Sequence, residues 1–209
     1  MKRFFTSLFL LATLAAPALL AQNQLNTPDP KAIAATPRDT YRSLLSRFEA
    51  GQKLSPDEMV TVYYGAAGQP GFNPNVTYAA LDAAYNAGDM AKAHNLAAEA
   101  LRKDPTNLYL LFKAFGSAAA SSDPTVKSLA PKYQTRLNGI CDAIFSSGLG
   151  VADSSPYLVT RTSDAQEFIV KFLQPTAIKG TSKLADLDAV KLALDGIPDD
   201  VIIYFKQYK

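Results

Sequence analysis

The chain has 209 residues, 48% apolar and 10% aromatic, with 21 basic and 19 acidic residues, one histidine and one cysteine. This apolar content excludes disorder for most of the chain, and a single cysteine excludes an internal disulfide. With no basic run, the sequence also lacks the charge clustering by which nucleic-acid binders displace counterions.

Lys2 and Arg3, the uncharged apolar run Phe4 to Leu14, and the small residues Ala16, Ala18 and Ala21 read as a cleavable secretory signal peptide over 1–21. A retained anchor and a buried helix are the alternatives. Thr6, Ser7, Thr13 and Pro17 interrupt the run, which makes it a poor spanning segment where about 20 apolar residues are needed. Cleavage after Ala21 would leave Gln22 first, with cleavage after Ala18 as second choice. Cys141 lies far from this site and cannot be its lipid acceptor. The expectation is an exported protein, periplasmic or secreted and soluble, with no membrane insertion once the signal is removed. Without Lys2 and Arg3 it carries as many basic as acidic residues.

Residues 22–38, with Pro28, Pro30 and Pro37, read as a mobile lead-in. A helical region follows over 39–147. Tyr41, Leu44, Leu45 and Phe48 share one helix face that ends near Gly51. Ser55-Pro56-Asp57-Glu58 is a helix start with a cap, a first-turn proline and a capping-box acid, and that helix should run to about Ala67. Gly68 to Asn75 is a Gly/Pro-rich loop. Thr77 to Ala87 and Met90 to Lys103 form a helical hairpin turned at Gly88-Asp89 and closed by Asp104-Pro105. Leu108, Leu111, Phe112 and Phe115 continue the helical period, Ser121 to Pro124 breaks it, and a long helix spans about Leu129 to Ser147. In the last region, 148–209, strands are predicted at Tyr157–Thr160, Asp188–Leu194 and Val201–Phe205, with a helix over Asp164–Leu173. The predicted fold class is α+β: helical hairpins followed by a small antiparallel β-sheet with one helix, packed on the helical region.

The hairpin at 77–105 resembles a tetratricopeptide repeat, with Gly88-Asp89 at the turn, Ala93 and Ala100 where two helices cross closely, and Pro105 closing the unit. Ala80, Leu81, Ala84 and Ala97 depart from the usual pattern. Over most of the mature length the chain also resembles an exported family catalogued as domain of unknown function 4919. That resemblance rests on Leu45 to Glu49, on Leu54 to Tyr64 with Gly65, on Gln69 to Phe72, and on Asp104-Pro105-Thr106-Asn107-Leu108. Ser146 to Gly150 and Asp164 to Phe168 extend it. It implies an exported α+β protein and no particular activity.

Chemistry is hard to find in the residues. His94 stands without a second histidine or a cysteine cluster, so it reads as a surface or boundary residue; zinc sites need three or four ligands, and a triad needs a matched nucleophile. Cys141, among Leu137, Ile140, Ile144 and Phe145, reads as a small buried hydrophobe. The carboxylate pairs Asp57-Glu58, Asp186 with Asp188, and Asp199-Asp200 have structural explanations in a first helical turn, a strand and a turn. No Walker loop, dinucleotide fingerprint or nucleophile elbow occurs. Catalytic, cofactor and metal sites are therefore expected to be absent. Tyr63, Tyr64 and Phe72, at a helix end and the adjoining loop, are the candidate binding residues, either packed in the core or forming an exposed ledge for a peptide or glycan. The expected function is non-catalytic binding or scaffolding, with a helical-hairpin groove that takes a peptide, protein or other envelope component. The alternatives are a small envelope hydrolase using carboxylates from different segments and a structural accessory subunit whose partner covers the sheet edge.

Overall fold

The computed structural model describes residues 25–209, so the signal peptide expected over 1–21 and the expected cleavage before Gln22 lie outside the described residues. The lead-in is docked from Leu25 on. The Asn26 N–H donates to the Ser146 carbonyl at 2.7 Å and the Thr27 hydroxyl to the Ser147 carbonyl at 3.0 Å. Carbonyls at a helix C-terminus lack intrahelical donors, so they can hold a chain otherwise read as mobile. Asp29 then caps a short helix, α1 (Pro30–Ala34).

Helix α2 (Arg38–Glu49) buries Tyr41 and Phe48. Helix α3 (Pro56–Gly65) starts at Ser55 with a complete capping box, in which Ser55 accepts from the Glu58 N–H and Glu58 accepts from the Ser55 N–H. Glu58 also receives Arg47 of α2 at 2.6 Å, joining the two helices. A short 3-10 turn, Ala66–Gly68, leads into the Gly/Pro loop. Helices α4 (Ala79–Asn86) and α5 (Met90–Lys103) form the hairpin, with Gly88 at φ +78° in a left-handed turn and Asp89 capping α5. Asn107 caps α6 (Leu108–Ala119), and α7 (Pro124–Lys127) leads into the long α8 (Ala130–Ser146). Helix α6 is packed between α5 and α8, while α3 packs on α2 and α8.

The inward face of α5 is Ala93, His94, Ala97 and Leu101. Ala93 and Ala97 are fully buried, and their small side chains let α5 approach α4 and α6 closely. Ala100, expected at the crossing, is only partly buried and borders a cleft. Ala93→Leu and Ala97→Leu are accordingly expected to destabilise the fold by roughly 1–3 kcal/mol through overpacking. Ala100→Leu and Lys92→Ala should stay within about 0.5 kcal/mol. Urea melts of the four variants check this, and equal tolerance at all positions would contradict the packing.

Beyond α8 the chain forms β1 (Tyr157–Val159), α9 (Thr162–Glu167) continuing as a π-helical turn Phe168–Leu173, then β2 (Ala177–Leu184), β3 (Leu187–Ala193) and β4 (Val201–Gln207). The fold is α+β. Its sheet has the order β1-β4-β3-β2, and in one respect it differs from the predicted antiparallel sheet: β1 runs parallel to β4, with Tyr157 opposite Phe205. The intervening α9, β2 and β3 carry the chain back to start β4 on the same side as β1, a crossover that hairpin reasoning does not anticipate. Strand β2 was not predicted.

One core runs through both regions. Val190, Leu192, Ile203 and Phe205 on one sheet face meet Tyr157, Phe168 and the end of α8. Tyr157 sits 5.4 Å from Phe168, 5.8 Å from Phe205 and 5.9 Å from Phe145, ring centre to ring centre. These edge-on and tilted contacts suit the ring quadrupoles.

Candidate binding cleft

A cleft of about 870 Å³ opens between α2 on one side and the α4–α5 hairpin on the other. Arg38, Tyr41, Arg42, Leu45 and Glu49 recur at helical spacing, so a single stripe of α2 forms one wall. The opposite wall combines the start of α4 with Leu96, Ala100 and Lys103 of α5. An antiparallel hairpin necessarily sets the start of its first helix beside the end of its second. The loop Gln69–Asn73 closes one end, and Asp104 to Thr106 contribute to the floor.

The floor is fixed by a buried ionic network. Arg161, only 1% exposed, pairs with Asp104 behind the cleft and lies 3.5 Å from Asp164. Asp164 Oδ1 accepts from the Leu108 N–H at 3.1 Å, while Oδ2 accepts from the Tyr63 hydroxyl at 2.8 Å and the Thr160 hydroxyl at 3.1 Å. Tyr63 in turn accepts from the Thr160 N–H at 3.1 Å. Burial pushes the Asp164 carboxyl up, opposed first by Arg161 and then by the hydrogen bonds. On the same turn, Asn107 donates to Asp104 at 2.9 Å, and Arg136 of α8 donates to the Pro105 carbonyl at 2.8 Å. The 104–107 corner is thus held from α8, from the β1–α9 junction and by its own cap. A buried charge pair is stable only when its remaining groups are also satisfied, and here most of them are.

Of the candidate binding residues, Phe72 is the one placed in the cleft. It is partly exposed, and its ring lies 4.3 Å from the Arg161 guanidinium carbon. Tyr63 and Tyr64 form no ledge: they are 0% and 1% exposed. Helix α3 is enclosed by α1, α2 and α8, so both rings turn inward, where Tyr63 binds Asp164 and the Tyr64 hydroxyl donates to the Leu158 carbonyl at 2.9 Å. Burial raises both phenols, which therefore act as donors. Tyr41 is pushed up to about 12, by burial and then by Glu49.

His94 is buried rather than at the surface, with Nε2 3.3 Å from the Tyr133 hydroxyl. Cys141 is buried, and desolvation holds its thiol protonated. Of the candidate acid–base carboxylates, all but Asp199 have partners elsewhere. Asp57 accepts from Asn26, Glu58 serves the cap and Arg47, Asp186 pairs with Lys206, Asp188 with Lys183, and Asp200 with Lys179 and Lys191. Among the described residues no group of three or more His, Cys, Asp or Glu is placed to hold a metal, and no helix is long and apolar enough to cross a membrane.

The residues missed in the sequence are the α2 arginines, Tyr78, Leu96, Arg102 and the Arg161–Asp104–Asp164 set. Arg38 and Arg42 were legible as an i, i+4 pair beside the apolar stripe of α2. The ionic set joins segments more than fifty residues apart and leaves no local pattern.

A family model described as a domain of unknown function (DUF4919) matches residues 32–206. No curated protein and no solved structure matches the chain.

Proposed function

We infer the function from the cleft, since the chain belongs to the DUF4919 family and that family's description assigns no activity. The protein is a non-catalytic binding protein of the cell envelope, exported by its N-terminal signal, that takes a peptide or protein segment between α2 and the tetratricopeptide-like α4–α5 hairpin. The observation that carries this reading is the cleft itself. At about 870 Å³ it falls in the size range of ligand pockets, it leaves Leu45, Leu96 and Ala100 partly exposed, and its floor is pinned by the buried ion pairs. A pinned floor lowers the ordering cost of binding. Helical hairpins bind partners along such concave surfaces, which supports the reading by analogy.

The hydrolase reading gains no support from the engaged carboxylates. The accessory-subunit reading has one observation in its favour: all eight residues of β2 are exposed, at the end of the sheet order. Lys179 and Lys183 on that strand weigh against it, because edge lysines discourage pairing with another chain.

Affinity capture from envelope extracts with the chain from Gln22 onward, run beside Ala80→Trp, tests the cleft. Ala80 is exposed on α4 and borders the cleft, so the indole fills space without entering the core. Retention by the native protein and a loss of about tenfold or more in the variant, with unchanged circular dichroism, is the expected result. Capture indifferent to Ala80→Trp contradicts the reading, as does turnover of a peptide or glycan that vanishes when one carboxylate is changed in a stable protein.

A further inference from the structure

We propose that the cleft selects acidic peptides, segments in which Asp or Glu alternate with apolar residues; this rests on the binding reading above. The chain as a whole is close to charge balance, but the cleft is not. Of its acids, Asp104 is paired with buried Arg161, which Asp164 shares, and Glu99 has an exposed 3.7 Å approach to Lys103 that removes one charge of each sign from the count. The other lining charges are Arg38 and Arg42 on one wall and Arg102 on the other, all exposed, set against Glu49. Arg42 has only a 4.0 Å approach to Asp39, whose side chain is 99% exposed, so that pair does little to neutralise it. Glu49 also borders a smaller recess with Arg102, Lys132 and Arg136, where cations again outnumber it. Low-dielectric walls of one net sign concentrate ligands of the other, and arginine forks suit carboxylates.

One further feature points the same way. Helix α4 opens into the cleft at Tyr78, which supplies no side-chain cap, and Ala79 and Ala80 of its first turn are exposed there. Such a helix start favours negative charge.

The lining favours a peptide over an acidic glycan. Sugar rings want open aromatic faces, whereas Tyr78 stacks on Tyr109 at 6.0 Å, Phe72 covers Arg161 and Tyr41 is buried. The partly exposed Leu45, Leu96 and Ala100 suit apolar side chains instead.

The test uses the chain from Gln22 and three fluorescein-labelled peptides with Leu and Phe at alternate positions and Glu, Gln or Lys between them, plus a labelled oligogalacturonate. Fluorescence anisotropy is expected to show the Glu peptide binding about tenfold or more tighter than the Gln peptide at low salt, a difference of about 1.4 kcal/mol, with the Lys peptide weakest. That preference should shrink as salt rises from about 0.05 M to about 0.5 M. The triple variant Arg38→Gln, Arg42→Gln, Arg102→Gln should bring Glu-peptide binding down to the level of the Gln peptide, with circular dichroism unchanged. Equal binding of the Glu and Gln peptides overturns the proposal, as does a preference untouched by the triple variant. If the Gln peptide binds and Ala80→Trp blocks it, the cleft still binds peptides and only the acidic selectivity fails. Oligogalacturonate binding in place of the Glu peptide, or no binding by any probe, also overturns the proposal.

Discussion

Asp164→Ala is expected to cost about 3–5 kcal/mol, a large part of the total stability of an ordinary domain, because it removes from a buried network the carboxylate that accepts from a backbone N–H and two hydroxyls and shares the Arg161 charge. Asp164 is fully buried, and the residues it holds come from three places in the fold: Tyr63 on α3, Leu108 at the start of α6, and Thr160 with Arg161 after β1. Its loss orphans the Leu108 N–H, takes the acceptor from the two hydroxyls and leaves Arg161 with Asp104 as its one acidic partner. Asp164→Asn keeps the volume and an acceptor for Leu108, so it should cost less, on the order of 1–3 kcal/mol. Tyr63→Phe removes one donor from the same network, and the double variant with Asp164→Asn should be clearly non-additive. Urea unfolding followed by far-ultraviolet circular dichroism gives all four values. Stability of Asp164→Ala within about 0.5 kcal/mol of the native protein would show that the network is dispensable.

The same network shows why the site was only half legible in the sequence. Helix boundaries were readable where a cap announces them: Ser55-Pro56-Asp57-Glu58 starts α3, and Gly88-Asp89 turns the hairpin. These are local rules, satisfied within four residues. Tyr63 and Tyr64 could not be placed by local rules, because a helix end beside a Gly/Pro loop is commonly at the surface. What encloses them is α8, nearly eighty residues later in the chain, and the Asp164 carboxylate that accepts from Tyr63.

Strand β2 escaped notice for a different reason. Ala177 to Leu184 are all exposed, so no alternation of apolar and polar residues marks the strand, and its form comes from pairing with β3 along most of its length. Parallel pairing of β1 with β4 was equally silent, since β1 is three residues long and its partner lies at the end of the chain. The cleft depends on how α2 is set against the hairpin. Arg38, Arg42 and Arg102 could be read as helix-surface cations, but that they line one space follows only from packing across the whole fold.

Gly148→Ala is the substitution expected to do most damage per atom added. A methyl carbon there would stand 2.1 Å from the Pro156 carbonyl oxygen and 2.8 Å from its carbonyl carbon. Both are backbone atoms, so no side chain can swing aside to relieve the clash. The segment has little freedom to shift. The Gly150 N–H donates to the Ser155 carbonyl at 2.9 Å, the Tyr204 N–H donates to the Gly150 carbonyl at 2.7 Å, and the Leu158 N–H donates to the Ser147 hydroxyl at 2.8 Å. Moving Gly148 away from Pro156 therefore breaks the junction that joins α8 to β1 and β4. A loss of about 3 kcal/mol or more is expected, in the range reserved for strained or overpacked backbone sites. Gly180→Ala is the control, since an added methyl there meets nothing within 4 Å, and it should change stability by no more than about 0.5 kcal/mol. Thermal melts of the two variants, with near-ultraviolet circular dichroism reporting the aromatic cluster of Tyr157 with Phe145, Phe168 and Phe205, measure the difference. If Gly148→Ala melts with Gly180→Ala and keeps the native aromatic signal, the junction yields freely, and the close approach of Pro156 to Gly148 is not what fixes the sheet against α8.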